Sequence, residues 1–242
     1  MSETRPIIEI KQLSKVYGFL PVLKQVDVTI HHSEFVALLG PNGSGKSTLL
    51  RLITGLSKPT TGHIRVGGWE IPAEALAVRS QIGLVSHKAL LYDNLTAREN
   101  LLFFGRLYNL QSDTMQGRID RLLAQVGLSK RGDSLVRTFS RGMQQRLSIA
   151  RSLLHDPDVL LFDEPYTGLD QDAGTVLDDL LREAHQEGRT ILMTTHQLER
   201  AARLAQRTLI LNRGRVAFDS SETDLQPEQL PRVYADVTGA AS

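Results

Sequence analysis

The stretch Gly40, Pro41, Asn42, Gly43, Ser44, Gly45, Lys46, Ser47 narrows what this chain can fold into more than any other. It fits the pattern G-x-x-x-x-G-K-[ST], read as a loop that wraps a phosphate. Glycines let backbone N–H groups converge on an anion with no Cβ in the way, and the helix that follows presents its positive end. Lys46 then reaches the β and γ phosphates, and the Ser47 hydroxyl ligates Mg²⁺. The flanks agree. Phe35 to Leu39 is an uninterrupted apolar run, and Leu49, Leu50, Leu52, Ile53 and Leu56 form a helical stripe after the loop.

A second apolar run, Val159 to Phe162, ends in Asp163 and Glu164. Acids released at the carboxyl end of a buried strand lie on the ligand-binding edge of a parallel sheet. There Asp163 holds Mg²⁺ through its water shell and Glu164 polarises an attacking water. Elsewhere, alternating runs at 7–13 and 26–30, separated by 17–21, predict a small antiparallel piece of sheet. Strands are expected at 63–68, 82–86, 190–194 and 208–211, and helices at 172–187 and 197–204. Between about Asn94 and His155 the period is helical, opening on a capping box at Thr96 and Glu99. Strands alternating with helices imply a mainly parallel sheet covered on both faces. From Asp219 the chain is polar with two prolines, and a short, partly frayed tail is expected.

Composition removes several chemistries. The chain has 242 residues and no cysteine, so disulfides, thiolate zinc sites and cysteine nucleophiles are out. Its 28 Lys and Arg balance 27 Asp and Glu, which argues against a broad footprint on nucleic acid. Arg141, Arg146 and Arg151 do not share one helical face. Glu3, Arg5, Glu9 and Lys11 interrupt any secretion signal, and the longest uncharged apolar stretch, Phe35 to Gly45, is too short to span a bilayer. A membrane role is therefore expected to be peripheral. Leu101, Leu102, Phe103 and Phe104 exceed one core stripe, and an exposed excess there marks a docking face. Trp69 and His63 carry no functional signal.

Phe139, Ser140, Arg141, Gly142, Met143, Gln144, Gln145 and Arg146 resemble the signature segment of ATP-binding cassette ATPases. Pro165 to Asp170 resembles that family's D-loop, with Gly168, Leu169 and Asp170, and Thr195-His196 its switch histidine. The resemblance covers nearly the whole chain in the family's order. It implies an α/β P-loop NTPase fold: a RecA-like, mainly parallel sheet, an N-terminal antiparallel β subdomain and an all-helical subdomain. Core and β subdomain are expected at about 1–86 and 156–218, the helical subdomain at about 87–155 and the tail at 219–242. It further implies that ATP lies on Gly40 to Thr48 with Tyr17 stacked on adenine, that Lys46, Glu164 and His196 are catalytic, and that Ser47 and Asp163 hold Mg²⁺. Ser140, Arg141, Gly142 and Met143 would face the phosphate loop of a second copy, in a head-to-tail dimer around two ATP.

The leading function on this resemblance is the ATPase subunit of a transporter, bound to a membrane permease on another chain at the cytoplasmic face of a bacterial plasma membrane. Soluble cassette proteins acting on nucleic acid or ribosomes usually carry tandem cassettes or basic arms. A small-molecule kinase or GTPase would lack the signature, and no N-K-x-D guanine motif is present; a non-hydrolysing module would lack Glu164 and His196. The segments at 86–110 and 139–170 look like those of ATP-binding subunits of bacterial haem exporters used in cytochrome c maturation. ATPases of drug, lipid and polysaccharide exporters share F-S-x-G-M-x-Q-R and stand as the alternative. No residue here would touch haem directly.

Two departures from the family stand out. Arg141 and Met143 replace a glycine and a glutamine of the common L-S-G-G-Q signature, which reads as divergent but competent. His87, eight residues before Leu95, stands where the family has its Q-loop glutamine. A neutral imidazole is a pH-dependent ligand and a glutamine amide is not. ATPase activity is therefore expected to fall more steeply on the acid side than in His87→Gln; equal acid limbs in the two pH–rate profiles refute it.

Overall fold

Burial patterning sorts the strands into two sheets of different kinds. The computed structural model describes residues 6–86, 88–223 and 225–239. Strands β1 (Pro6–Tyr17) and β2 (Leu20–His31) form a long hairpin, and β3 (Phe35–Leu39) leads into helix α1 (Lys46–Ile53). Then come β4 (Thr61–Val66), β5 (Trp69–Ile71), α2 (Ala75–Ser80) and β6 (Ile82–Val85). Helices α3 (Ala97–Leu107), α4 (Ser112–Gln125) and α5 (Arg141–Leu153) follow. The chain continues through β7 (Val159–Asp163), α6 (Gln171–Gln186), β8 (Thr190–Thr194) and α7 (Leu198–Leu204). It ends with β9 (Arg207–Asn212), β10 (Arg215–Asp219) and α8 (Leu230–Thr238).

The antiparallel sheet runs β2-β1-β4-β5. The larger sheet runs β10-β9-β3-β8-β7-β6 and is parallel except for the β9–β10 edge. Strands covered on both faces lose their alternation and read as continuous apolar runs, as β3 and β8 do at every residue. The two-residue period sends Phe35, Leu160, Phe162, Ile191 and Met193 to one face, under α3 to α6. Val36, Leu38, Leu161, Leu192 and Leu209 face the other way, onto α1, α2 and the antiparallel sheet. Because β8 lies between β3 and β7, the turns after these strands emerge side by side. That juxtaposition builds the site.

The helical stretch opens as its capping box predicts: Glu99 N donates to Thr96 Oγ1 at 3.1 Å and Thr96 N to Glu99 Oε2 at 2.7 Å. Helix α5 starts in this stretch and finishes against β6, where a Cβ on Gly83 would lie 2.5 Å from the Ser152 carbonyl oxygen. The end of the chain differs from the frayed tail that its polar composition suggests. Helix α8 is apolar on one side, and Leu230, Val233, Tyr234 and Val237 pack with Ala37, Leu39, Ala201 and Ile210. A proline in its first turn suits a position whose N–H has no helical partner, and Gly239 caps the other end in the left-handed region.

His155, just beyond α5, stacks on Tyr108 with ring centroids 3.9 Å apart and an interplanar angle of 13°. Its Nε2 lies 3.1 Å from the Ile82 carbonyl oxygen, which only accepts, so Nε2 carries the proton. Nδ1 is buried without a partner. Burial lowers the imidazole pKa below the ordinary 6.5, and the nearby Arg118 and Arg189 act in the same direction. A depressed histidine pKa means that the unfolded chain binds the proton first, so this contribution is complete above pH 6.5 and fades below it. The melting temperature should accordingly fall less between pH 7 and pH 5 in His155→Gln than in the parent; identical slopes would contradict this.

Candidate nucleotide site

Gly40, Gly43 and Gly45 all adopt positive φ, at 148°, 78° and 112°. Two of them also admit no side chain: a Cβ would lie 2.2 Å from the Leu211 carbonyl oxygen at Gly40 and 2.6 Å from Leu23 at Gly45. The turn thus brings the chain onto β3 and straight into α1. Gly45 caps α1 without any side-chain hydrogen bond, and the first turn holds no acidic residue. Its N–H groups and positive dipole end are left for an anion. Ser44 Oγ, in the same loop, is buried without a hydrogen-bond partner.

Lys46 folds back over this loop. Its amine donates to the carbonyl oxygens of Gly40 at 2.7 Å and Pro41 at 3.3 Å and lies 3.9 Å from Glu164 Oε1. Burial lowers its pKa, and the charges of Glu164 and Asp163 only partly offset that. Asp163 and Glu164 leave β7 beside it. The Ser47 hydroxyl donates to Asp163 Oδ1 at 3.0 Å, and Glu164 Oε2 lies 2.9 Å from His196 Nδ1. Glu164 sits at φ 51°, a conformation a residue with a side chain holds only where its surroundings impose it.

Thr194 imposes it, and no sequence motif singles Thr194 out. Its hydroxyl donates to Asp163 Oδ1 at 2.9 Å and accepts from Glu164 N at the same distance, while the Thr194 carbonyl accepts from Glu164 N at 3.2 Å. A final TILMT threonine reads as a strand end; its role appears only when β8 is paired with β7. Among the described residues no group of three or more His, Cys, Asp or Glu could hold a metal by itself. A divalent cation between Ser47 and Asp163 would have hard oxygen donors from the chain and take the rest from phosphate and water.

The other expected site residues lie in several places. Tyr17, at the end of β1, is 44% exposed, with Lys15 Nζ 4.6 Å from its ring centre. Ser140 caps α5, accepting from Met143 N at 3.3 Å, and α5 also lacks an acid in its first turn. Arg141 leans on the D-loop: a Cβ on Gly168 would lie 2.4 Å from its guanidinium. Leu169 packs beside the helical core, and Asp170 caps α6, accepting from Ala173 N at 2.8 Å. Gly142 leaves room for Ala173, 3.0 Å from where its Cβ would be. Among the described residues no hydrogen bond or ion pair joins the phosphate loop to the first turn of α5. His87 lies outside the described residues.

A buried network behind the D-loop escapes sequence reading as well. Asp178, 2% exposed, accepts from the Tyr166 hydroxyl at 2.7 Å and from Arg200 at 2.6 Å, and pairs with Arg203. Burial, followed by the hydrogen bond to Asp178, pushes the Tyr166 pKa upward, so its proton stays in place. The turn after Glu164 is thereby fastened to α6 and to α7, the helix that follows His196.

Losing a hydrogen bond to a charged group costs about 1.5–3 kcal/mol, so Thr194→Val should lower kcat for phosphate release roughly ten- to hundredfold. KM for ATP should hold, because the phosphate loop is untouched; an unchanged kcat would remove Thr194 from the site.

Residues 23–167 match the family described as ABC transporter. The Nod factor export ATP-binding protein I of Sinorhizobium fredii is 42% identical over 229 residues, 95% of this chain and 67% of that protein. The linearmycin resistance ATP-binding protein LnrL of Bacillus subtilis is 34% identical over 219 residues, 90% of this chain and 70% of that protein. A solved dimeric ATP-binding cassette in a post-hydrolysis state, bound to ADP and Pi, superposes with a TM-score of 0.79 at 30% identity, over 88% of this chain and 97% of that one. The chain belongs to the ABC transporter family, as an ATP-binding subunit that hydrolyses ATP coupled to transport.

Proposed function

We propose that this subunit drives a bacterial exporter from the cytoplasmic face of the inner membrane, as one of two copies bound to a permease on a separate chain, and that its cargo is haem for cytochrome c maturation. The observation that carries the motor reading is the convergence of Lys46, Ser47, Asp163, Glu164 and His196 at adjoining strand ends. In this reading the triphosphate lies on the N–H groups of residues 43–48, with Tyr17 at the base, and Lys46 turns from its own loop to the β and γ phosphates. Mg²⁺, held by Ser47 and by Asp163 through water, would offset phosphate charge. Glu164 takes a proton from water as its oxygen bonds to the γ phosphorus and the bridging bond to the β phosphate breaks. His196 orients Glu164 and meets the γ phosphate.

The first turn of α5 supports the two-copy reading. Ser140 to Met143 form a second anion-binding helix end with no hydrogen bond or ion pair to the chain's own phosphate loop among the described residues, and a related cassette is dimeric with ADP and Pi bound. The permease reading draws on the exposed apolar surface of the helical stretch, where Tyr92, Phe103, Leu107 and Tyr108 are 36–63% exposed. No helix among the described residues is long and apolar enough to cross a membrane.

Haem as cargo rests on the segments at 86–110 and 139–170, which look like those of haem exporter subunits. A second reading, export of a drug, lipid or polysaccharide, is favoured by the names of the relatives, which concern Nod factor export and linearmycin resistance. No contact with haem or nucleic acid is assigned to this chain in either. Both are tested by purifying Glu164→Gln from its own membranes with ATP and Mg²⁺. Removing the base should slow hydrolysis roughly a hundredfold or more and hold the closed complex together. A permease recovered with haem absorbance supports the first cargo; a permease without haem moves it to the second, and no integral subunit overturns the exporter reading.

A further inference from the structure

Arg151, on the last turn of α5, is 8% exposed and has no carboxylate partner among the described residues. Its guanidinium donates to neutral oxygens instead: Nη1 to the carbonyls of Ala89 at 3.1 Å and Leu90 at 2.8 Å, Nη2 to that of Leu84 at 3.1 Å. It also lies over the face of Phe104, 5.1 Å to the ring centre, and Phe104 packs on Phe103 and Tyr92. A buried, unpaired cation is costly, so a chain that keeps one is using its fork of donors.

What the fork holds is a strained loop. Leu90 has φ 51°, a rare conformation for a bulky side chain, and that side chain is 57% exposed. Leu90 stands between two cavities. One, about 190 Å³, opens beside Ser47 and Asp163; the other, about 450 Å³, lies against Arg141, Gln144 and Gln145 at the start of α5. In the second, Gln145 Nε2 is buried without a partner. The loop therefore borders the Mg²⁺ side of the nucleotide site and the signature turn at once, while Arg151 rests beneath the exposed aromatic surface.

We propose that Arg151 is a positioning residue that latches the loop at Leu90 in its strained form, so that the aromatic surface of α3, the Asp163 side of the nucleotide site and the first turn of α5 move as one unit. It rests on the reading that Glu164 is the base and that the first turn of α5 serves turnover. A lysine keeps the charge but cannot bridge the carbonyls on both sides of the loop. A glycine at 90 holds φ near 50° without being held there.

The test measures steady-state ATPase of the full chain for Arg151→Lys, Leu90→Gly, the double variant and Glu164→Gln. Arg151→Lys should lower kcat about tenfold with KM for ATP within about twofold, and Leu90→Gly should restore most of that kcat in the double variant. Rescue at a position that contributes no core packing is what a purely structural arginine would not show. Wild-type kcat in folded Arg151→Lys, or no rescue by Leu90→Gly, overturns the inference. If Arg151→Lys does not fold, Phe104→Leu takes its place: a lower kcat rescued by Leu90→Gly supports the latch, and an unchanged or unrescued kcat overturns it. Near wild-type turnover in Glu164→Gln overturns the reading beneath it and the latch together, whereas an inactive Glu164→Gln beside an unaffected Arg151→Lys overturns the latch alone.

Discussion

Leu38, Thr194 and Asp163 occupy one row of the parallel sheet, because β8 pairs in register with β3 on one side and β7 on the other. The nucleotide site depends on that row. It brings the phosphate loop after β3, the acids after β7 and His196 after β8 to a common edge, although more than 110 residues separate Ser47 from Asp163. A slip of one residue in β8 would turn Thr194 away from Asp163 and send the Ile191 and Met193 side chains to the wrong face. Core packing on both faces of the sheet and the chemistry at its edge thus secure the same register.

Helix α5 is the second organising element. Its first turn carries Ser140 and Gly142, its middle fills the helical core through Leu147 and Ala150, and its last turn sends Arg151 under the loop after β6. A helix of 13 residues is about 20 Å long, enough to tie the turn at Ser140 to the sheet. The Asp178 network does the same for the D-loop, joining Tyr166, α6 and α7 through a buried carboxylate.

Much of the site was legible because its chemistry is written in contiguous residues. Glycines at 40, 43 and 45, followed by Lys46 and Ser47, need no partner from elsewhere to be read as a phosphate loop, and their positive φ values agree with the turn expected of them. The Thr96 and Glu99 box was equally local. Thr194, Asp178 and Arg151 were not legible, since each acts on groups at least 12 residues away and looks in sequence like a strand end, a polar helix position and one more surface arginine. Helix α8 looks like a tail in sequence because two prolines and a polar lead-in mask the one apolar face that Leu230, Val233 and Val237 make together.

The alternation of strand and helix, the phosphate loop, the acids at the end of β7 and the family resemblance all rest on local spacing and period, and each is present in the amino-acid order alone. Which side chains hold those groups in place is set by packing. Hydrogen bonds from Thr194, the Asp178 carboxylate and the Arg151 guanidinium exist only after strands and helices distant along the chain have packed, because a buried polar group chooses its partner by proximity in space, not in sequence.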